Sequence, residues 1–133
     1  MRFLLDADTV SDLIHDAHGR VGVTILKRGI DRVCTSIIVA AELRFGAAKR
    51  GSARLLADLA AVLDTLTVEP FGQPADRCYG ELRANLERRG CLIGPNDMLI
   101  AAHALALDCT VVTGNAEEFQ RVKGLRVENW MQR

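Results

Sequence analysis

Short apolar runs alternate along the chain with longer stretches whose apolar positions fall at helical spacing. Arg2 to Leu5 reads as a short buried strand. A helix start follows at Asp8-Thr9-Val10-Ser11, with Leu13, Ile14 and Ala17 at helical spacing, and Gly19 ends it. Val21 to Lys27 reads as a second helix stopped by Gly29, Arg32 to Ser36 as a second strand, and Ile37 to Arg50 as a helix stopped by Gly51. Ser52 opens another helix through about Thr65. Leu66 to Phe71 is the third strand, closed by Gly72 and Pro74. Ala75 to Arg89 is helical, with Cys78, Tyr79, Leu82 and Leu86 on its apolar side and Gly90 as C-cap. Gly94-Pro95 opens a helix with proline at its first position, and the body from Met98 to Leu107 is nearly all apolar. Thr110 to Thr113 gives a fourth strand, Ala116 to Gln120 a short helix and Arg126 to Glu128 a fifth strand.

Strands alternating with helices predict an α/β fold, a parallel sheet covered on both faces. No repeat, low-complexity tract or linker interrupts the pattern, so residues 1–133 are expected to form one domain. In open α/β sheets, sites form beyond the C-terminal ends of the strands. Asp6 follows the first strand and Asn115 the fourth, which puts both on one edge.

Composition narrows the function classes. The chain is 49% apolar and 26% charged with a formal net charge of zero, so a general nucleic-acid coat is disfavoured and any action on nucleic acid needs a local site. Cys34, Cys78, Cys91 and Cys109 lack C-x-x-C spacing and read as small core residues, reduced in a cytosol. One Arg, three apolar residues and an Asp do not make a signal peptide. Met98 to Leu107 is about half a membrane span and contains His103. A soluble, cytoplasmic protein without membrane contact is expected. His15, His18 and His103 form no metal pattern, and His103 reads as a satisfied core residue. Walker-type and dinucleotide-type glycine loops are absent from the sequence.

Carboxylates supply the candidate chemistry. Asp6 and Asp8 follow the run Phe3-Leu4-Leu5; capping suits one of them, best Asp8, and leaves Asp6 for another role. At 100° per residue, Glu42 shares a helix face with Ile38, Val39, Phe45 and Gly46, the centre of a stripe that should be buried, while Arg44 points to solvent. A lone Glu there needs a partner, either Lys49, an arginine from elsewhere, or a cation. Asp97 lies in a first helical turn, where the dipole favours negative charge, on a face with Ile93, Ile100, Ala101 and Ala104. Asn115 and Glu118 have the spacing of a capping box, and Glu118 equally suits a site. Buried carboxylates are costly unless their charge is offset. Hard oxygen donors suit Mg²⁺ or Mn²⁺.

Taken in order, Leu4-Leu5-Asp6-Ala7-Asp8, Ala41-Glu42-Leu43-Arg44-Phe45-Gly46-Ala47, Ile93-Gly94-Pro95-Asn96-Asp97-Met98-Leu99-Ile100-Ala101, Val111-Val112-Thr113-Gly114-Asn115 and Gly124-Leu125-Arg126-Val127-Glu128-Asn129-Trp130 resemble PIN-domain proteins of the VapC type. These are the toxin halves of bacterial and archaeal toxin–antitoxin pairs. Each acidic motif is weak alone; the ordered set covers essentially the whole chain. The resemblance implies a three-layer α/β/α sandwich around a parallel sheet of four to five strands. It implies an Mg²⁺- or Mn²⁺-dependent ribonuclease acting on RNA, a cognate antitoxin and a homodimer. It carries the catalytic and metal roles to Asp6, Glu42 and Asp97; Glu118 is a candidate further metal ligand. Asp8, Thr113 and Asn115 are expected in support.

Two departures stand out. Asp8 occupies a place where Asn is common, and Asn115 one where many relatives have Asp. The fourth contact is therefore either Glu118 or a neutral carbonyl. A carboxylate-held cation can polarise a phosphodiester and lower the pKa of water, while a carboxylate such as Glu42 orients or deprotonates the water. Lys49 and Arg83 are candidate phosphate contacts. The alternative function is a catalytically weak PIN-fold binding protein acting through an antitoxin–DNA repressor complex. A phosphoacceptor receiver domain is disfavoured, because the third strand ends Glu69-Pro70-Phe71 and no Lys follows Val112 closely.

Overall fold

The computed structural model describes residues 1–131. Strands β1 (Arg2–Leu5), β2 (Val33–Ser36), β3 (Thr67–Glu69), β4 (Cys109–Val112) and β5 (Val127–Glu128) form one sheet in the order β3-β2-β1-β4-β5. Every pairing is parallel. Parallel neighbours need crossover connections. Helices α1 (Ala7–His15), α2 (Arg20–Arg28), α3 (Ile37–Arg50), α4 (Ala53–Thr65), α5 (Ala75–Arg88), α6 (Pro95–Leu107) and α7 (Ala116–Phe119) supply them, with a 3₁₀ turn at Ile30–Arg32 before β2. This is the expected α/β sandwich, with the fifth strand present.

Phe3, Leu4, Leu5, Val33, Cys34, Val111 and Val112 are all buried, as the unbroken apolar strands of a sheet covered on both faces should be. Leu5 lies level with Thr35 on one side and Val112 on the other. Asp6, Ile37 and Thr113 therefore leave the sheet together at one edge, and that edge carries the site.

The structure moves several predicted features. Asp6, not Asp8, is the N-cap of α1, and its side chain accepts the Thr9 N–H. Asp8 is exposed in the first turn. The first helix ends at His15, and Gly19 is the N-cap of α2 instead of the end of α1. β3 is shorter than expected: it is an edge strand, and Pro70 has no N–H to continue a ladder. The buried side of α3 is formed by Val39, Ala40 and Ala47, while Phe45 is 67% exposed. Glu42 therefore sits at the margin of the buried stripe rather than its centre. Small alanines fill the inner face, so the bulky Phe45 misdirects a reading based on apolar size. Cys34 and Cys109 are buried and free, and flank β1 on its two neighbours. Cys78 and Cys91 are half-buried and free. Among the described residues, no helix is long and apolar enough to cross a membrane.

Candidate active site

Asp6 is placed by the sheet. Its N–H donates to the Val112 carbonyl at 3.0 Å, extending the β1–β4 ladder by one step. Its carboxylate then accepts the Thr9 N–H at 3.0 Å, which starts α1. Thr9 also donates its hydroxyl to the Val112 carbonyl at 2.9 Å, so the turn is fastened at two points. Asp6 is only 4% exposed. Burial pushes its carboxyl above the ordinary range; hydrogen bonds from Thr113 and Thr9 oppose this, and the Asp8 charge adds to it. Thr113 is fully buried, and its Oγ1 accepts the Asn115 N–H at 2.9 Å.

Asp97 and Glu118 form the tightest acidic contact. Asp97 stands in the first turn of α6. Glu118 comes from α7, and its Oε1 accepts the Gly94 N–H at 2.6 Å while its Oε2 takes the Asn115 amide. The expected capping box is not made: Asn115 starts α7 without a side-chain cap bond. A Cβ on Gly94 would lie 3.2 Å from Asp97 Oδ2 and 3.5 Å from Glu118 Oε1. The two carboxylates thus meet over a position that bears no side chain. Burial first, then the charge and hydrogen bond of Glu118, then Glu42 and Asp6, push the Asp97 carboxyl up to about 7.

Glu42 closes the group from α3. Burial raises its carboxyl, the facing Asn96 amide opposes the rise, and the charges of Asp6 and Asp8 add to it. Glu42 Oε1 is buried without a hydrogen-bond partner. Asp6, Glu42, Asp97 and Glu118 are therefore one electrostatic group, since Asp97 responds to the other three. A cleft lined by Ile38, Ala41, Phe45, Asn96 and Leu99 opens on Glu42 between α3 and α6.

Among the described residues, no three His, Cys, Asp or Glu side chains are drawn together tightly enough to hold a metal ion as they stand. The acids form a pair with two neighbours rather than a closed cage. Mg²⁺ characteristically takes one or two carboxylates and keeps several waters. An all-oxygen donor set with uncompensated negative charge and an orphaned Glu42 Oε1 fits such an ion.

The expected supporting residues divide. Thr113 touches Asp6, and Asn115 holds Glu118. Asp8 acts only by its charge, on Asp6 and Glu42. Lys49 is exposed with its ammonium 6.0 Å from the Phe45 ring centroid. Arg83 is exposed and donates to the Tyr79 hydroxyl at 2.7 Å. Neither has a contact with the acids among its described interactions. Thr9, Gly94 and Asn96 belong to the site and were not singled out in the sequence. The one signal for them was Gly94-Pro95 immediately before an aspartate-bearing helix turn.

Comparison with known proteins identifies the family and the fold. The profile of the PIN domain matches residues 3–125. A ribonuclease VapC2 of Rickettsia felis is 41% identical over 99 residues, 74% of each chain. A tRNA(fMet)-specific endonuclease VapC of Salmonella typhimurium is 34% identical over 131 residues, 98% of each. Among solved structures, DNA-bound VapBC from Salmonella typhimurium superposes with a TM-score of 0.89 at 34% identity, covering 98% of both chains. VapBC2 from Rickettsia felis, bound to a promoter fragment, gives 0.87 at 32% identity, covering 98% of this chain and 99% of that one. With its sheet order, its edge of acids and these likenesses together, the chain belongs to the PIN-domain family, among the VapC ribonucleases.

Proposed function

We propose that this chain, one PIN-like domain, is an endoribonuclease toxin that hydrolyses RNA phosphodiester bonds with Mg²⁺ or Mn²⁺ held by Asp6, Glu42, Asp97 and Glu118. The observation that carries the reading is geometric: Asp97 and Glu118 meet over Gly94 and Glu42 Oε1 is buried without a partner, while the charges of Glu42 and Asp6 add to the burial that raises Asp97. A bound cation supplies polarisation of the phosphate and acidification of water. Asp97 and Glu118 hold it from α6 and α7, and Asp6 is kept in place by Thr9 and Thr113. Glu42, with its unpartnered Oε1 at the α3–α6 cleft, orients the attacking water and takes its proton. Glu118 provides a fourth carboxylate, so Asn115 is no argument for a catalytically weak binding protein.

The relative named as a tRNA(fMet)-specific endonuclease aligns over nearly the whole chain, which makes tRNA the first substrate to try. Protein purified away from its antitoxin should cleave tRNA with Mn²⁺ or Mg²⁺, and EDTA should stop it. Asp97→Asn should lower the rate by several orders of magnitude; wild-type rate in that variant would remove Asp97 from the site.

The partner is a cognate antitoxin, in line with the VapBC complexes among the solved relatives. Of the apolar residues on the first two helices, Val10, Leu13, Val21 and Ile25 are buried in the core and Ile14 is half-buried. The exposed apolar residues of the first two helices are Val23 and Leu26, the latter 84% exposed, and we assign them to the antitoxin. Ile37 and Phe45, exposed on α3, are assigned to a homodimer contact.

A further inference from the structure

His103 is the one ionisable side chain on the nearly all-apolar body of α6, and the chemistry above does not use it. It is 1% exposed. Its Nδ1 lies 2.7 Å from Ser36 Oγ, and Ser36 is itself fully buried. Ser36 is the last residue of β2 and the N-cap of α3, where its Oγ accepts the Ile38 N–H at 3.0 Å. The Phe71 ring meets the imidazole edge-on at 5.2 Å. Nε2 is buried without a hydrogen-bond partner, and the Pro70 backbone carbonyl acts on the ring.

One proton arrangement suits all these neighbours. Ser36 Oγ already accepts the Ile38 N–H, which leaves its hydroxyl hydrogen for Nδ1, so the imidazole hydrogen is placed on Nε2. Nδ1 is then the acceptor, and the Ser36 hydroxyl donates to it. Burial lowers the His103 pKa and keeps the ring neutral, against the smaller opposing effects of the Pro70 carbonyl and Glu69.

The placement along the two helices gives this contact its consequence. Glu42 follows Ser36 by six positions on α3, and His103 follows Asp97 by six on α6. Each interval is about 9 Å of helix. Asn96, next to Asp97, faces Glu42. The helices therefore lie antiparallel where they meet, joined by Ser36–His103 at one end and Asn96–Glu42 at the other. We propose that Ser36 and His103 are positioning residues, a buried tie that sets α3 against α6 and so holds Glu42 in reach of the Asp97–Glu118 pair. The tie rests on the reading of the four acids as one cation site.

Mn²⁺ titration by calorimetry, with thermal melting of the same metal-free samples, tests it on full-length wild type, Ser36→Ala, His103→Leu, the double variant and His103→Asn. Leucine fills the imidazole space without an acceptor, whereas the asparagine Oδ1 can take the place of Nδ1. Ser36→Ala and His103→Leu should each weaken Mn²⁺ binding by about five- to tenfold. The double variant should be no weaker than the worse single, because both break the Ser36–His103 contact and the α3 cap is already lost in Ser36→Ala. His103→Asn should stay within about twofold of wild type. Altered melting temperatures with unchanged Mn²⁺ affinity would make the pair purely structural and overturn the tie, as would additive losses in the double variant. If His103→Leu does not fold, Ser36→Ala against His103→Asn decides on the same criterion. A wild type that binds no Mn²⁺ overturns the site reading and the tie with it; a wild type that binds, with both single variants equal to it, overturns the tie alone.

Discussion

Replacing Asp97 with Asn tests the electrostatics of the site without any substrate. In the metal-free folded protein the Asp97 carboxyl titrates at about 7, against about 3.9 in an unfolded chain. The folded state holds this proton more tightly. The group's contribution to stability is therefore complete below about pH 3.9 and is lost as pH rises through about 7. A difference of that size corresponds to about 4 kcal/mol if wholly expressed. Asp97 is half-buried, and solvent screening reduces the expected loss to on the order of 2 kcal/mol. Asparagine keeps the shape and carries no charge, so Asp97→Asn should lack this loss. In EDTA at pH 8 the variant should melt about 6–10 °C above wild type for a chain of this size. At pH 4.5, where wild-type Asp97 is already protonated, the two should nearly coincide. Saturating Mn²⁺ at pH 8 should reverse the ranking, because a cation that binds only the folded state adds about 2.7 kcal/mol at 100 times Kd, and the variant has lost a ligand. Melting curves across pH 4.5–8, with EDTA and then Mn²⁺, give the comparison. Parallel pH profiles for the two proteins in EDTA would show that the acids do not act on Asp97, and the argument for one site would fail.

Asp6→Asn retains a capping oxygen for the Thr9 N–H and should fold like wild type while losing cleavage by several orders of magnitude. Asp6→Ala should lose the cap as well, at a cost of about 1 kcal/mol in chemical denaturation; equal stability of the two variants would contradict the capping role. Glu118→Gln should weaken Mn²⁺ binding by about tenfold or more by calorimetry, and Asn115→Asp should change it less, since Glu118 already takes the Gly94 N–H and the Asn115 amide. The opposite order would move the fourth contact to Asn115. Leu26→Glu should leave the melting temperature unchanged, because the side chain is in solvent, and should weaken co-purification with the antitoxin; undiminished complex by size-exclusion mass measurement would place the antitoxin elsewhere.

The sequence was most informative where one short segment contains its own physics. Asp6 follows an unbroken apolar strand, and Asp97 follows Gly-Pro at a helix start. Strand ends and helix starts are the places an α/β sheet reserves for chemistry, so the alternation of elements and these two acids could be read together. The cap went to the wrong aspartate because Asp6 and Asp8 both have capping chemistry. Only the β1–β4 ladder, which carries on through the Asp6 N–H, decides where α1 begins. Glu42 was recognised, but its face was misjudged by the width of Phe45. Which side of α3 is buried depends on where α4, α6 and the sheet present room for alanine, and no window within the helix records that.

The remaining residues of the site share a feature: each is defined by a partner far away in the chain. A side chain at Gly94 would crowd Asp97 and Glu118, whose carboxylates lie in front of it. Glu118 looked like a capping residue from its spacing to Asn115, yet its Oε1 crosses to Gly94, 24 positions away. His103 looked like a satisfied core histidine; one nitrogen is met by Ser36, 67 positions away, and the other is left without a hydrogen bond. Local patterns report what a residue can do by itself and with its immediate neighbours. Burying a polar atom is settled only when the whole fold shows what stands opposite. Among the described residues, the buried side-chain polar atoms without a partner are Glu42 Oε1 and His103 Nε2, and both lie on the helix pair α3 and α6. The proposed cation site would give Glu42 Oε1 its counter-charge, and the Ser36 contact places the imidazole hydrogen on His103 Nε2, so both atoms trace to how α3 meets α6.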